Sequence, residues 1–413
     1  MAVFKAFRAY RPKVENQSLI PELPYDVMSS EEAYEIAKDN PLSFLHVDKA
    51  EIDLPKGTDL YSSAVYEKAA ENLNNLKKNG DLIQDKKPCF YIYNQVMNGR
   101  SQTGIAGCAW VDDYNNNVIK KHEKTLAKKE QDRICHVNTT NANTGPIFLT
   151  YKNNENITKT VNDFMKGNKP VYDFTHNGVL QQVWVVDDEI IISHLTEYFK
   201  SVNAFYIADG HHRCASAVHV GELRRKENPD YTGDEEFNYF LAVAFPDNQL
   251  EIMDYNRVVK DLNGLTKDEF LNSVAESFDV EIQSGSYKPA CRHTFGMYLD
   301  GQWYSLKAKS CILNDNDPVG RLDVSVLQEN LLAPILNIQD PKNDDRIDFI
   351  GGIRGLSELE KRASSDMRVA FAMFPTTVDD LISIADAGAI MPPKSTWFEP
   401  KLLSGIFIHD LSN

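Results

Sequence analysis

Residues 205–226 pass from a short apolar run through an Asp-Gly pair into a long stretch of helix-forming residues. The run from Phe205 to Ala208 is rich in aromatic and apolar side chains, which favours a buried strand. Gly210 tolerates a positive φ and predicts a bend, after which residues 212–226 predict a helix. A strand that leads directly into a helix indicates a protein of the α/β class.

Both kinds of element recur along all 413 residues, and no repeat of about 20 to 50 residues is visible. Ser29 and Thr266 each stand three residues before a glutamate, the spacing of a helix capping box. Asp300-Gly301 between two strand-like runs predicts a two-residue hairpin. The sequence therefore predicts a mixed α/β (α+β) fold.

A shift in composition near residue 260 suggests a division of the chain into two domains. We place the boundary at residue 265, so that residues 1–265 form a first domain that contains the Asp-Gly bend. Residues 266–413 then form an α+β domain of their own.

The chain is acidic, with 44 Lys plus Arg against 60 Asp plus Glu and a formal net charge of -16. Such a surface repels nucleic acid and anionic lipid, so neither is an expected partner. The six cysteines include no Cys-x-x-Cys pair, which favours reduced thiols. The N-terminus alternates like a strand, and no apolar run approaches the roughly 20 residues that span a bilayer. A cytoplasmic location is expected.

The residues Asp209-Gly210-His211-His212-Arg213 combine features that suit a phosphate group. The start of a helix offers unpaired N–H groups and a partial positive charge to an anion. Two imidazoles and a planar guanidinium add side-chain donors. Asp209 suits either a helix cap or a metal ion shared with the phosphate. The competing structural interpretation is a simple N-cap followed by core histidines.

Other polar side chains are weaker candidates, and each has a structural alternative. Glu123 suits a general base or metal ligand but equally a loop salt bridge, and Asp26 suits a functional loop or a turn cap. Lys394-Ser395-Thr396 follows two prolines and predicts a second anion contact, unless it only positions the neighbouring aromatics. Arg257 follows a predicted strand at residues 250–255 and is a further candidate contact for the same ligand.

The chain resembles a bacterial and archaeal family known as domain of unknown function one-zero-one-five. Four stretches carry this resemblance: Pro24–Val27, the loop from His122 to Arg133, Ala208–Arg213, and Met391–Lys401. They extend over nearly the whole sequence.

Through that family the chain is distantly similar to the ParB/sulfiredoxin superfamily, in which a Gly-x-x-Arg turn at a helix start holds nucleotide phosphates. Gly210 and Arg213 match this pattern. His211 stands where sulfiredoxin-like proteins have a catalytic cysteine and ParB-like proteins a glutamate. The resemblance implies a ParB/sulfiredoxin-like nucleotide-binding core with an additional mixed-sheet C-terminal domain, in a superfamily that includes kinases of free serine.

These features and the resemblance together predict a nucleotide-dependent phosphotransferase that acts on a small metabolite, for example an amino acid such as serine, with ATP or ADP and Mg²⁺. The expected phosphate contacts are Asp209, Gly210, His212, Arg213, Arg257, Lys394, Ser395 and Thr396. The expected acceptors of the substrate proton are His211, Asp26 and Glu123.

Two other functions stay open. A ParB-like nucleotide-gated binding protein would need a basic surface stripe, which a net charge of -16 disfavours. A metal-dependent hydrolase would use His211, His212 and Asp209 as ligands, but adjacent histidines at a helix start point in different directions.

Overall fold

The computed structural model describes residues 2–314 and 316–412 and divides the chain into two compact units. The first unit comprises Met1–Leu250 together with Pro400–Asn413, and the second comprises Glu251–Glu399. The sequence predicts a single boundary at residue 265, whereas the contacts return the last residues of the chain to the first unit.

The first unit combines many short strands with helices. Its strands up to residue 250 are β1 (Phe4–Lys5), β2 (Tyr10–Pro12), β3 (Leu82–Gln84), β4 (Phe90–Met97), β5 (Arg100–Trp110), β6 (Ile119–Lys120), β7 (Ala142–Asn143), β8 (Ile147–Tyr151), β9 (Tyr172–His176), β10 (Val179–Val186), β11 (Phe205–Asp209) and β12 (Tyr239–Pro246). Its helices are α1 (Ser30–Ala37), α2 (Leu45–Asp48), α3 (Ser63–Lys78), α4 (Val111–Asn115), α5 (Ala127–Thr140), α6 (Glu155–Gly167), α7 (Glu189–Lys200) and α8 (His211–Glu227).

Within the described residues, nine of these strands form one sheet in the order β6-β11-β8-β12-β5-β4-β10-β9, with β1 paired to β5. The pairs β6–β11 and β8–β12 are parallel, and the other pairs are antiparallel, so the sheet is mixed. Strand β12 lies between β8 and β5, and its nearly unbroken run of apolar side chains up to Phe245 suits this buried central position. The predicted mixed α/β class is confirmed.

One face of this sheet packs against α7 and α8 through a core of aromatic side chains. The ring of Phe4 lies 4.7 Å from that of Phe199 and 5.6 Å from that of Phe205. Burying these large side chains contributes on the order of 2 to 3 kcal/mol each. This core fixes β11, and therefore the position where β11 ends and α8 begins.

The second unit has a sheet of its own. Its strands are β13 (Ile252–Met253), β14 (Tyr255–Val259), β15 (Phe278–Gln283), β16 (Thr294–Leu299), β17 (Gln302–Ala308), β18 (Ile347–Gly351), β19 (Val369–Ala372) and β20 (Trp397–Phe398). Its helices are α9 (Lys267–Ser277), α10 (Asp323–Leu327), α11 (Gly355–Ser365) and α12 (Val378–Asp386).

Among the described strands of this unit, six form a sheet in the order β15-β17-β16-β19-β14-β18. Every pairing in it is antiparallel, rather than the mixed arrangement expected for this part of the chain. The predicted hairpin is confirmed, since Asp300 and Gly301 join β16 to β17 with φ angles of 50° and 76°. Thr266 and Glu269 form the predicted capping box of α9.

The last strand among the described residues is β21 (His409–Asp410), which pairs with β7 in the first unit. No helix among residues 2–314 and 316–412 is long and apolar enough to cross a membrane.

Candidate functional site

Gly210 forms the bend between β11 and α8 in the left-handed conformation, with φ 89° and ψ 33°. A Cβ atom at this position would lie 3.1 to 3.3 Å from the guanidinium group of Arg213. Glycine is therefore required twice, for the backbone angle and for the close approach of the arginine. The predicted strand, bend and helix are confirmed.

Asp209, the last residue of β11, is held by three groups. One oxygen accepts the Gly210 N–H at 2.8 Å, and the other lies 3.2 Å from Lys401 Nζ and 3.9 Å from Arg213 Nη2. Burial alone would raise the pKa of this carboxyl, but Lys401 and Arg213 outweigh burial and hold the pKa well below its usual range. Asp209 is thus a carboxylate fixed between two cations.

Arg213 folds back over the bend from the first turn of α8. Its Nη1 donates to the carbonyl of Pro146 at 2.7 Å, whereas its buried Nε has no hydrogen-bond partner among the described residues. Burial lowers the pKa of Arg213, but the nearby carboxylates of Asp26 and Asp209 more than compensate and raise it. The arginine is a permanent cation with an N–H group left to donate.

A small cavity of about 20 Å³ lies beside Arg213, between α5 and α8. Arg133 lies on its wall, with the guanidinium carbon 4.0 Å from the centre of the Tyr25 ring and its nitrogens within 2.9 Å of Asp132. Helix α5 reaches this position because Ile134 and Val137 pack against Val220 of α8. The volume suffices for about one water molecule.

His211 turns its side chain towards the loop that precedes α5. Its ring lies perpendicular to that of His122 at 4.5 Å, and its Nδ1 lies 3.6 Å from Glu123 Oε2. Burial, followed by the neighbouring His122, lowers the pKa of His211 well below its usual value, and burial lowers that of His122 to about 4. Both imidazoles are neutral at neutral pH.

His212 also binds this loop, since its Nε2 accepts a hydrogen bond from the backbone N–H of Leu126 at 3.0 Å. In this arrangement Nε2 is an acceptor, and the proton of the neutral ring sits on Nδ1. A phosphate contact by His212 stays a prediction, because the nitrogen seen here is engaged by the protein backbone.

The other predicted proton acceptors lie at the edge of the site. Asp26 is exposed in a short 3-10 turn, Tyr25–Val27, and its charge is the foremost carboxylate influence on Arg213. Glu123 is about half exposed and faces His211. The first unit therefore brings Asp26, Asp209, Gly210 and Arg213 together.

The remaining predicted contacts belong to the second unit. Arg257 is buried, and its guanidinium donates to the carbonyls of Lys394, at 2.9 Å, and Tyr255. The hydroxyl of Ser395 donates to the carbonyl of Pro392 at 2.7 Å. These bonds shape the loop that carries Lys394 and Thr396, and a role of Arg257, Lys394, Ser395 and Thr396 in anion binding stays a prediction.

Two residues at the site were not among the predicted contacts. Lys401 comes from the last segment of the first unit, and Arg133 comes from α5. Both stand in stretches that resemble the family, which is the signal that would have singled them out. No group of three or more His, Cys, Asp or Glu side chains able to hold a metal ion occurs within the described part of the chain.

The model of a family described as a protein of unknown function, DUF1015, matches residues 4–325. The chain belongs to the DUF1015 family. This confirms the resemblance seen in the sequence. No curated protein matches the chain significantly.

Several solved structures are distantly similar to this DUF1015 protein. A free serine kinase in complex with AMP is 12% identical with a TM-score of 0.36, and the match covers 75% of this chain and 91% of that one. SbnI with a C-terminal truncation, from Staphylococcus aureus, is 10% identical with a TM-score of 0.38, over 72% and 85% of the two chains. A conserved hypothetical protein from Pyrococcus furiosus is 13% identical with a TM-score of 0.34, over 74% and 94%. At these values the likenesses assign no function.

Proposed function

We propose that this DUF1015 protein is a nucleotide-dependent phosphotransferase that binds the phosphate chain of ATP at the start of α8 and transfers a phosphoryl group to a small metabolite such as serine. The observation that carries the proposal is the buried Nε of Arg213, which has no hydrogen-bond partner within the described residues and lies beside the left-handed Gly210. A buried N–H without a partner costs about 1 to 3 kcal/mol, and an anionic ligand would remove that cost.

Backbone amides at the start of α8 would also bind this anion. The amides of His211, His212 and Arg213 open α8 and have no carbonyl in a preceding helical turn to bind. They add the positive end of the helix dipole to the guanidinium. In a chain with a net charge of -16, this concentration of donors and cations at one bend favours an anion locally.

Lys401 and Asp209 have complementary parts in the proposal. Lys401, whose side chain is largely buried, supplies a second cation for the developing charge on the transferred group. Asp209 holds Lys401 and Arg213 close to its Oδ2 atom and stays ionised. Since both of its oxygens are engaged by Gly210 and Lys401, its role is to position these cations rather than to bind a metal ion.

Asp26 is the proposed acceptor of the substrate proton, because its carboxylate is exposed to an incoming molecule and its charge reaches Arg213. The acceptor hydroxyl oxygen would form a bond to the γ-phosphorus while the bond from that phosphorus to the bridging oxygen breaks. ADP leaves, and the hydroxyl proton passes to Asp26. His211 suits this role less well, since burial makes its imidazole a weak base.

Mg²⁺ is expected to accompany the nucleotide. The described residues hold no cluster of three metal-ligating side chains, and the Asp209 oxygens are already bound. Mg²⁺ often relies on substrate phosphates and water for most of its ligands, so it would enter with ATP.

Calorimetric titration with ATP tests the proposal. Arg213→Ala is expected to abolish measurable binding, whereas Arg224→Ala, at the far end of α8 and bonded to Asn138 and Asn141, is expected to retain it. Turnover is then followed by ³¹P NMR with serine as acceptor, where ADP and a phosphomonoester should appear in the wild type and not in Asp26→Asn. Equal ATP affinity in wild type and Arg213→Ala would refute the proposed site.

A further inference from the structure

Three glutamines form a buried row across the centre of the large sheet of the first unit. Gln102 on β5 pairs in register with Gln95 on β4, and Gln95 pairs in register with Gln181 on β10. The three side chains are between 0% and 2% exposed. Burying polar amides in a sheet costs free energy unless each donor and acceptor forms a hydrogen bond, so three adjacent buried glutamines indicate a specific role.

The amides bind one another along this row. Gln102 Nε2 donates to Gln95 Oε1 at 3.0 Å, and Gln95 Nε2 lies 3.2 Å from Gln181 Oε1. The hydroxyl of the fully buried Tyr93 also donates to Gln181 Oε1, at 2.5 Å. Such connected networks fix the conformation of the groups they contain.

The middle residue of the row binds the backbone of Lys401, the residue that supplies the second cation of the site. Gln95 Nε2 donates to the carbonyl oxygen of Lys401 at 2.9 Å, and the backbone of Leu403 binds the Tyr93 hydroxyl. From that anchored backbone, Lys401 Nζ reaches Asp209 Oδ2 at 3.2 Å. The segment that carries Lys401 is therefore held at two points by polar groups of the sheet.

We infer that Gln95 is a positioning residue, which holds the backbone of Lys401 so that the ammonium group is delivered to Asp209 at the start of α8. The part of this inference that concerns ligand binding rests on the proposed function. The buried row gives Gln95 its orientation, because Gln102 and Gln181 occupy the amide on both sides. An apolar residue at position 95 would pack in the sheet but would remove the hydrogen bond from the Gln95 amide to the Lys401 carbonyl.

The first test needs no ligand. Selective ¹³C labelling of aspartate allows NMR titration of Asp209 in the full-length wild type, in Gln95→Met and in Gln102→Met. Because Lys401 lowers the pKa of Asp209, that pKa should rise in Gln95→Met and rise less in Gln102→Met, which removes one support of the Gln95 amide but leaves the donor to Lys401. An unchanged pKa in Gln95→Met would overturn the inference. If Gln95→Met does not fold, Gln95→Asn keeps a buried amide that is too short to reach Lys401.

The second test measures the affinity for pyrophosphate by calorimetry in a double-mutant cycle. Gln95→Met is expected to weaken binding about tenfold in the wild-type background, the size of one hydrogen bond, and to have no further effect in Lys401→Met. An equal loss in both backgrounds would indicate a general structural effect and overturn the inference. If the wild type binds no pyrophosphate while Gln95→Met still shifts the pKa of Asp209, the proposed function fails and the positioning role stands.

Discussion

Lys401 Nζ lies 3.2 Å from Asp209 Oδ2, although 192 residues separate the two along the chain. The carboxylate ends β11, whereas the lysine belongs to the segment that returns to the first unit at its C-terminal end. The charge at the start of α8 thus depends on a contact between distant parts of the sequence.

Replacing Gly210 by alanine should cost both stability and ligand binding. The residue has a φ of 89°, and the new Cβ would lie 3.1 Å from Arg213 Nε. We expect a loss of about 1 to 2 kcal/mol in the free energy of unfolding, measured with urea, together with at least a tenfold loss of ATP affinity by calorimetry.

Gly178→Ala is the matched control, since Gly178 has a φ of 78° and nothing within 4 Å of its missing Cβ. It should lose a similar amount of stability and keep its ATP affinity. Retained affinity in Gly210→Ala would show that the bend is not part of a phosphate site.

Arg213→Lys should bind ATP about tenfold more weakly than the wild type. Lysine keeps the positive charge next to Asp209 but lacks the Nε–H group and the planar fork of the guanidinium. Calorimetry at two salt concentrations separates these effects, because the charge contribution weakens with salt and the lost hydrogen bond does not. Equal affinity of the lysine variant would mean that charge alone is recognised.

Local features of the fold follow from the sequence because they depend on a few neighbouring residues. The capping boxes at Ser29 and Thr266, the hairpin at Asp300-Gly301 and the left-handed Gly210 were all predictable from residue type and spacing. Each rests on a backbone angle or hydrogen bond within four residues. The predicted turn at the candidate site belongs to this group.

Features that depend on tertiary contacts could not be predicted from the sequence. Nothing in the local sequence places Lys401 beside Asp209 or connects Gln95 to Lys401, because these contacts join strands and segments far apart in the chain. The sequence places His211 and His212 at the start of α8, but contacts with His122 and with the loop around Leu126, which are distant in the chain, determine where their rings lie. Hydrophobic periodicity indicates which face of a helix or strand is buried, but it does not indicate which distant residue a polar side chain contacts.

Stability should fall as the pH drops below neutrality, and His122 should account for part of the loss. Its pKa is about 4 in the folded protein because of burial, against an ordinary value of 6.5. Between these pH values the unfolded chain binds more protons at His122 than the folded protein does. The contribution of His122 to the free energy of unfolding is therefore complete above about pH 6.5 and is lost as the pH falls towards 4. At pH 5 the contribution lost is on the order of 2 kcal/mol.

Urea unfolding at pH 7 and pH 5 measures this effect. His122→Leu should show a difference between the two pH values that is smaller than that of the wild type by about the same amount. His219→Leu, at an exposed position of α8, serves as the control and should behave as the wild type does. An identical pH dependence in His122→Leu would mean that this imidazole is not kept neutral by the fold.

Removing the imidazole of His212 should release the loop that precedes α5. His212 Nε2 accepts the N–H of Leu126 at 3.0 Å, the bond that joins the first turn of α8 to the residue before α5. In His212→Ala the amide of Leu126 should exchange with deuterium about tenfold faster, as expected for the loss of one hydrogen bond. His212→Gln supplies a side-chain oxygen of similar reach and should restore part of the protection. If exchange at Leu126 is the same in all three proteins, the loop is held by other contacts and not by His212.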